Sequence, residues 1–234
     1  MDNIRDYDFD IIEMIKAGWA RMEGVKGQFF AGLAIYIAVA IVLQLLLGLV
    51  FPQGTQLEPN YLNQQIVGIL SYPVLMPIMA GIMMMAIHHG RGEEIDFKSI
   101  FNYYHLTGKL ALAGILIYIM TMIGFLFFIF IPINSFTMIG VVLVLIFSMY
   151  VSVAYAFTIP LIVDKNMDVW AAMEHSRKTV TKHWFKVAGL MGLLTVAMAI
   201  SAIPLGVGLI WTIPLMFITM YGLAYPIMFE GDEA

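Results

Sequence analysis

Cysteine is absent from this sequence, and charged residues are scarce. Without a thiol, the chain can form no disulfide, no thiolate nucleophile and no thiolate metal site. Charged residues make up 12% of the 234 positions and hydrophobic residues 61%, whereas roughly a quarter of the residues in a soluble domain are charged. This balance excludes an ordinary soluble domain and predicts a membrane protein.

Long apolar runs account for most of the chain. Crossing a hydrocarbon core of about 30 Å takes roughly 20 mostly apolar helical residues, because every backbone polar group must be paired within the segment. Acidic and basic residues are missing from the interior of six such segments, with Lys186 at the edge of the fifth: 29–50, 66–88, 110–132, 138–163, 186–204 and 208–229. We therefore predict an all-α membrane protein in which six transmembrane helices form a single membrane domain, 1–234.

Basic residues are confined to alternate connections between these spans. All twelve lie before the first span, between the second and third, or between the fourth and fifth, and the connections at 51–65, 133–137 and 205–207 hold none. By the positive-inside rule, this alternation predicts six crossings with both the N- and C-termini in the cytoplasm. The acidic N-terminal residues before the first span also indicate that no signal peptide is cleaved.

One short phrase occurs three times, each time within six residues after a lysine. It reads AGLAIYI at 31–37, AGILIYI at 113–119 and AGLMGLL at 188–194. Aligning the phrases predicts three hairpin repeats, at about 10–88, 95–163 and 167–229, which we expect to be arranged around a pseudo-threefold axis.

An amphipathic stretch precedes each hairpin. Apolar or small residues recur at helical spacing in all three stretches: Ile11, Ile15, Gly18, Met22, Val25 and Phe29; Phe97, Ile100, Phe101 and Tyr104; Val169, Met173, Ser176, Val180 and Trp184. We predict three cytoplasmic interfacial helices with their apolar faces in the lipid. Small residues four apart within the spans, such as Ala34 and Ala38, predict close helix packing.

The last third of the chain resembles a known group of proteins. Pro160, Leu161, Asp164, Ala171, Ser176, Trp184, the run IPLGVGLIWTIP at 203–214 and Tyr221 carry the resemblance. Together they resemble a loose group of uncharacterised bacterial integral membrane proteins, related to the membrane domain of some glycerophosphodiester phosphodiesterases. The resemblance implies a multi-helix domain of the bacterial inner (cytoplasmic) membrane without catalytic residues. The soluble catalytic domain of those phosphodiesterases has no counterpart here, so their activity is not expected.

Histidines and acids cluster in HHGRGEEID at 88–96. His88, His89, Glu93 and Glu94 combine imidazole and carboxylate groups, which suit zinc, manganese or iron. Adjacent helical side chains diverge by about 100°, so both histidines can face one site only if the helix ends there. The alternative is a polar helix end with no ligand.

Methionines lie just before these histidines. Met79 and Met83 form an M-x-x-x-M pair on one helical face, and thioether with imidazole ligands favours Cu(I). A copper conduit is therefore one hypothesis. The other is that methionine acts as a flexible apolar filler.

A basic group lies between the fourth and fifth spans. Arg177, Lys178, Lys182 and Lys186 could hold an anionic lipid headgroup. In EHSRK at 174–178, the adjacent Ser176 and His175 cannot form a catalytic pair because consecutive helical side chains diverge. Glu174 and Lys178 have the favourable order for an ion pair.

We expect a non-enzymatic inner-membrane protein that organises lipid or protein partners at the cytoplasmic surface. The alternative is a channel or transporter for a small solute or a metal ion, copper or zinc. Membrane lipids are the expected partners, with a homo-oligomer as an open alternative and no nucleic acid. No cofactor is expected, unless the histidine or methionine cluster binds a metal ion.

Overall fold

The computed structural model describes residues 6–55, 58–129, 135–203 and 206–230, and these residues form helices joined by short connections. Within those ranges there is no β-strand beyond an isolated bridge between Gly54 and Pro59. The helices are α1 (Ile11–Ala20), α2 (Lys26–Val50), α3 (Tyr61–Gly90), two 3₁₀ helices (Phe97–Phe101 and Tyr104–Leu106), α4 (Thr107–Ile129), α5 (Ser135–Ala154), α6 (Thr158–Asp164), α7 (Val169–Lys182), α8 (Trp184–Ala202), α9 (Leu209–Phe217), a π-helical segment (Ile218–Ala224) and α10 (Tyr225–Phe229).

The described residues include six helical segments that are long and apolar enough to cross a membrane: Lys26–Val50, Tyr61–Gly90, Phe97–Met122, Gly140–Asp164, Trp184–Ala202 and Leu209–Phe229. The all-α class and the six spans predicted from the sequence are confirmed. Their apolar composition places the chain in a membrane as a multi-pass protein.

A short helical segment precedes each pair of long segments, in the order that the repeat prediction requires. The second of these segments consists of two 3₁₀ helices instead of one α-helix. It packs tightly on α3, where a Cβ at Gly81 would lie 2.3 Å from the Cα of Ile100. The element order is consistent with three repeats, and their equivalence stays a prediction.

The apolar faces of these short segments pack on the protein. Met14 is 6% exposed, and Ile100 and Val180 are fully buried. Other apolar side chains of the same segments are exposed instead, including Ile12, Trp19 and Trp170. The face expected to enter the lipid is thus largely used for packing within the bundle. Their placement at the membrane surface stays a prediction.

The fourth and sixth spans, Gly140–Asp164 and Leu209–Phe229, are interrupted near the end of the bundle where the basic connections lie. Between α5 and α6 the backbone turns at 155–157, three residues before Pro160, and the hydroxyl of the buried Ser176 donates to the Ala154 carbonyl oxygen at 2.8 Å. In the last span a π-helical segment precedes Pro226, which has no N–H for a helical bond. These interruptions bring α6 and α10 against the second half of α3, where the buried core is centred.

Candidate functional site

The two histidines at the end of α3, His88 and His89, contact other residues of the protein. His89 Nε2 lies 2.7 Å from the Arg21 carbonyl oxygen, so this nitrogen carries the hydrogen, and Arg21 Nη1 donates to the Gly90 carbonyl at 3.3 Å. Together these two bonds join the end of α1 to the end of α3. His88 Nδ1 lies 3.9 Å from Glu93 Oε2, and Glu94 is exposed.

The described residues contain no group of three or more histidine or acidic side chains placed to hold a metal ion. One ring nitrogen of His89 is already hydrogen-bonded to a backbone carbonyl. The zinc site at His88, His89, Glu93 and Glu94 stays a prediction, and its two histidines have different partners in this arrangement.

The methionines of α3 take part in packing. Met84 and Met85 are buried in the core, and Met79 and Met83 are half-buried against it. These positions suit a flexible apolar filler. The copper conduit through Met79 and Met83 stays a prediction.

An ion-pair cluster joins the C-terminal ends of the second, fourth and sixth spans. Arg91 Nη2 lies 2.8 Å from both carboxylate oxygens of Asp164 and 2.6 Å from Glu230 Oε1. Tyr225 donates its hydroxyl hydrogen to Asp164 Oδ2 at 2.9 Å. Partial burial opposes the charge on Arg91, but the hydrogen bonds that the guanidinium donates to both acids outweigh it and raise its pKa. We name these four residues the Arg91 cluster.

The Arg91 cluster is not among the sites predicted from the sequence. Its acids come from PLIVD at 160–164 and PIMFE at 226–230, which the predicted repeat alignment places at equivalent positions, and Arg91 follows the second span. Asp164 and Glu230 are separated by 66 residues in sequence, so only the repeat alignment could have suggested that they meet. Since Asp164 and Glu230 share one guanidinium, Arg91 balances one of the two acidic charges and acts as a clamp between helix ends.

The four basic residues predicted to bind a headgroup are divided between two surfaces. Lys178 Nζ lies 2.8 Å from Glu174 Oε1, which confirms the expected i,i+4 ion pair, and both residues line a small cleft with Met167 and His175. Arg177 is half-buried on α7. Lys182 and Lys186 lie instead at the corner where α7 ends and α8 begins.

An open groove of about 640 Å³ lies at this corner, between α5 and the start of α8. We name it the corner groove; it is lined by Ile146, Tyr150, Thr181, Lys182, His183, Trp184, Phe185 and Lys186. The rings of Tyr150 and Trp184 stack with centroids 6.3 Å apart, and Phe185 is 84% exposed beside them. The groove therefore has an aromatic and aliphatic wall next to a basic edge.

The N-terminal segment reaches this basic edge. Asp6 Oδ1 accepts a hydrogen bond from His183 Nε2 at 2.7 Å, and Asp8 forms an ion pair with Lys186. Between the two acids, Tyr7 is 5% exposed and donates to the Thr179 carbonyl oxygen at 3.1 Å. The hydrogen bond from His183 lowers the pKa of Asp6, and the one from Lys186 lowers the pKa of Asp8. The basic edge of the corner groove thus already holds carboxylates.

Comparisons with known proteins identify no relative of this chain. No protein-family model matches the chain, and no curated protein or solved structure matches it. The resemblance to the membrane domain of some glycerophosphodiester phosphodiesterases stays a prediction.

Proposed function

We propose that this chain is a non-enzymatic protein of the bacterial inner membrane that binds anionic lipid at its cytoplasmic face and so organises lipid or protein partners there. One observation carries the proposal: the corner groove combines an apolar wall with Lys182, His183 and Lys186 at the start of a membrane span. Such a combination matches an amphiphile that has acyl chains and a negatively charged headgroup.

The position of the corner groove fits the boundary between hydrocarbon and headgroups. Trp184 and Phe185 are the first residues of α8, and tryptophan and tyrosine are enriched where spans leave the hydrocarbon. Ile146 lies about one turn before Tyr150 on α5 and extends the apolar wall toward the bilayer interior. An acyl chain would lie along this wall while the phosphate meets the lysines above it.

The charges favour a phospholipid with a net negative headgroup. Each lysine or arginine near an anionic membrane surface contributes about 1 kcal/mol to binding. Lys182 is exposed, and the acidic partner of Lys186, Asp8, has a side chain that is 75% exposed. A solvent-exposed ion pair contributes little to stability, so a phosphate can replace the Asp8 carboxylate at little cost.

Lipid retention by the purified chain tests the proposal. The unmodified protein and a Lys182→Glu/Lys186→Glu variant are placed in nanodiscs containing phosphatidylcholine with one-fifth phosphatidylglycerol, and co-purified lipid is counted by native mass spectrometry. A Lys16→Glu/Lys98→Glu variant is the matched control, because it makes the same change in net charge at two exposed lysines that do not line the groove.

We expect the groove variant to lose retained phosphatidylglycerol and the control to keep it. Equal losses in the two variants would show only general charge attraction to the membrane. Retention by the groove variant at the level of the unmodified protein would contradict the proposal. No specific observation favours the alternative, a channel or transporter for a small solute or metal ion, which stays a prediction.

A further inference from the structure

Gln44 lies in the first span, on a helix whose outer half has little contact with the rest of the chain. It follows Lys26 by 18 residues and precedes Val50 by six, which places it about 9 Å inside the outer end of α2. Gln44 is exposed, and among the described residues its side chain has no hydrogen-bond partner. An amide facing hydrocarbon without a partner is unfavourable, because lipid tails cannot replace its hydrogen bonds with water.

The residues around Gln44 form a regular seam along α2. Ala34, Ile41 and Gly48 recur every seven residues, and Ile37 and Gln44 repeat the same interval three residues later. This is the a/d pattern of two helices that pack side by side. We name these five residues the α2 seam; a shallow groove of about 370 Å³ follows it around Ile37, Ala40, Ile41 and Gln44.

The α2 seam faces outward. Ile37 is 47% exposed and Ile41 is 55% exposed, and a Cβ placed on Gly48 would meet no atom within 4 Å. The small residues Ala34 and Ala38, expected from the sequence to pack against a neighbouring helix, are both exposed. The close packing that they indicate is therefore not made inside one copy of the chain.

We infer that a second copy of this chain docks on the α2 seam, with the Gln44 side chain of each copy hydrogen-bonded to its counterpart. Two copies in one bilayer have the same orientation, so a twofold axis along the membrane normal places each residue of the seam opposite itself. A primary amide carries both a donor and an acceptor, so two glutamines meeting at this axis satisfy one another. The alanines and Gly48 let the two backbones approach closely.

Gln44, which occupies a d position of this pattern, also fixes the register of the two α2 helices. Sliding one helix by a turn would leave both amides in hydrocarbon, whereas the apolar members of the seam would tolerate the slip. The inferred contact is independent of lipid binding at the corner groove, which lies on α5, α7 and α8.

Cysteine cross-linking in liposomes tests the inference, because the natural chain contains no cysteine. Ile41→Cys places one thiol in the seam with Gln44 retained. Leu46→Cys is the matched control: it is 57% exposed, close to the 55% of Ile41, but it lies about 140° further around the helix. Both proteins are reconstituted at high lipid dilution, oxidised, and separated by denaturing electrophoresis.

We expect disulfide-linked dimers from Ile41→Cys and few from Leu46→Cys. Adding Gln44→Leu to Ile41→Cys should weaken dimerisation roughly 3- to 30-fold, the range measured for interhelical hydrogen bonds in membranes, whereas Gln44→Asn should retain most of it. Both substitutions lie on the lipid-facing surface, so the helical circular dichroism of the monomer should not change.

Three outcomes would overturn the inference. Equal cross-linking of the two cysteine positions would show random collision, and cross-linking unaffected by Gln44→Leu would show that the amide takes no part. A purified chain that forms no dimer would mean that lipid or a different protein covers the seam.

Discussion

Two glycines bring the backbones of α3 and the π-helical segment into direct contact. A Cβ at Gly90 would lie 2.0 Å from the Gly222 carbonyl oxygen, and one at Gly222 would lie 2.7 Å from the Ala86 carbonyl oxygen. Because the obstacles are backbone atoms, no change of rotamer can relieve the overlap. The contact sits directly beside Arg91, so it sets the distance at which the Arg91 cluster can form.

Gly90→Ala should destabilise the protein, since the added methyl group forces α3 and the last span apart. Overpacking of this kind costs typically about 1–3 kcal/mol. Gly108→Ala is the matched control, because a Cβ at Gly108 meets nothing within 4 Å. Thermal unfolding in detergent should show a lower midpoint for Gly90→Ala only; equal midpoints for the two variants would mean that the helix contact is looser than described.

Among the elements, the long helices were predictable, whereas the exact positions and form of their interruptions were not. Apolar length alone locates the spans, because each must satisfy its own backbone in lipid. Next to the turn at 155–157, Ser176 donates a hydrogen bond to the carbonyl oxygen of Ala154, 22 residues earlier in the chain. No local pattern reveals that bond, although Ser176 was conspicuous as the polar member of an apolar face.

The corner groove could also be predicted only in part from the sequence. Lys182 and Lys186 belong to the basic group that the sequence places between the fourth and fifth spans, and the corner groove contains both. Lys178 has the same spacing from Lys182 but is paired with Glu174 on another surface. The aromatic wall and the N-terminal acids could not be foreseen, because Tyr150 and Asp8 are brought to the groove by tertiary packing.

The N-terminal segment, residues 6–9, is an element whose docking depends on charge. Above the ordinary aspartate pKa of 3.8, the contacts of Asp6 with His183 and of Asp8 with Lys186 favour the docked state. The native pKa of each acid is lowered, so this contribution is lost as the pH falls from 3.8 through the lower native values. Lys182 adds to the attraction on Asp6 over the same range.

Asp6→Asn/Asp8→Asn should therefore loosen the segment at neutral pH. Hydrogen–deuterium exchange of the N-terminal peptide should become faster in the variant, while the unmodified protein shows the same change only on acidification below about 3.8. Asp10→Asn is unsuitable as a control, because Asp10 directly follows the segment and accepts a hydrogen bond from the backbone N–H of Glu13. Glu23→Gln, at an exposed acid outside the segment, serves instead. Unchanged exchange in the double variant would show that Tyr7 alone holds the segment.

At the scale of the whole molecule, long-range polar contacts join the connections that carry the basic residues. Arg91 binds Asp164 and Glu230, and Lys109 forms an ion pair with Asp168 at 2.9 Å. The ends of the second, fourth and sixth spans and the start of the third therefore lie at one end of the bundle. This arrangement is the one that alternate basic and neutral connections require, and we propose that this end faces the cytoplasm.

Thiol accessibility decides which end of the bundle faces outward, and the absence of native cysteine makes the measurement direct. Glu58→Cys lies in the connection between α2 and α3, and Lys98→Cys lies between α3 and α4; both positions are exposed. A membrane-impermeant maleimide applied to intact cells should label Glu58→Cys and should reach Lys98→Cys only after the membrane is permeabilised. Labelling of Lys98→Cys in intact cells would show that the topology is inverted. The corner groove would then lie at the outer leaflet, and the cytoplasmic role proposed for it would be wrong.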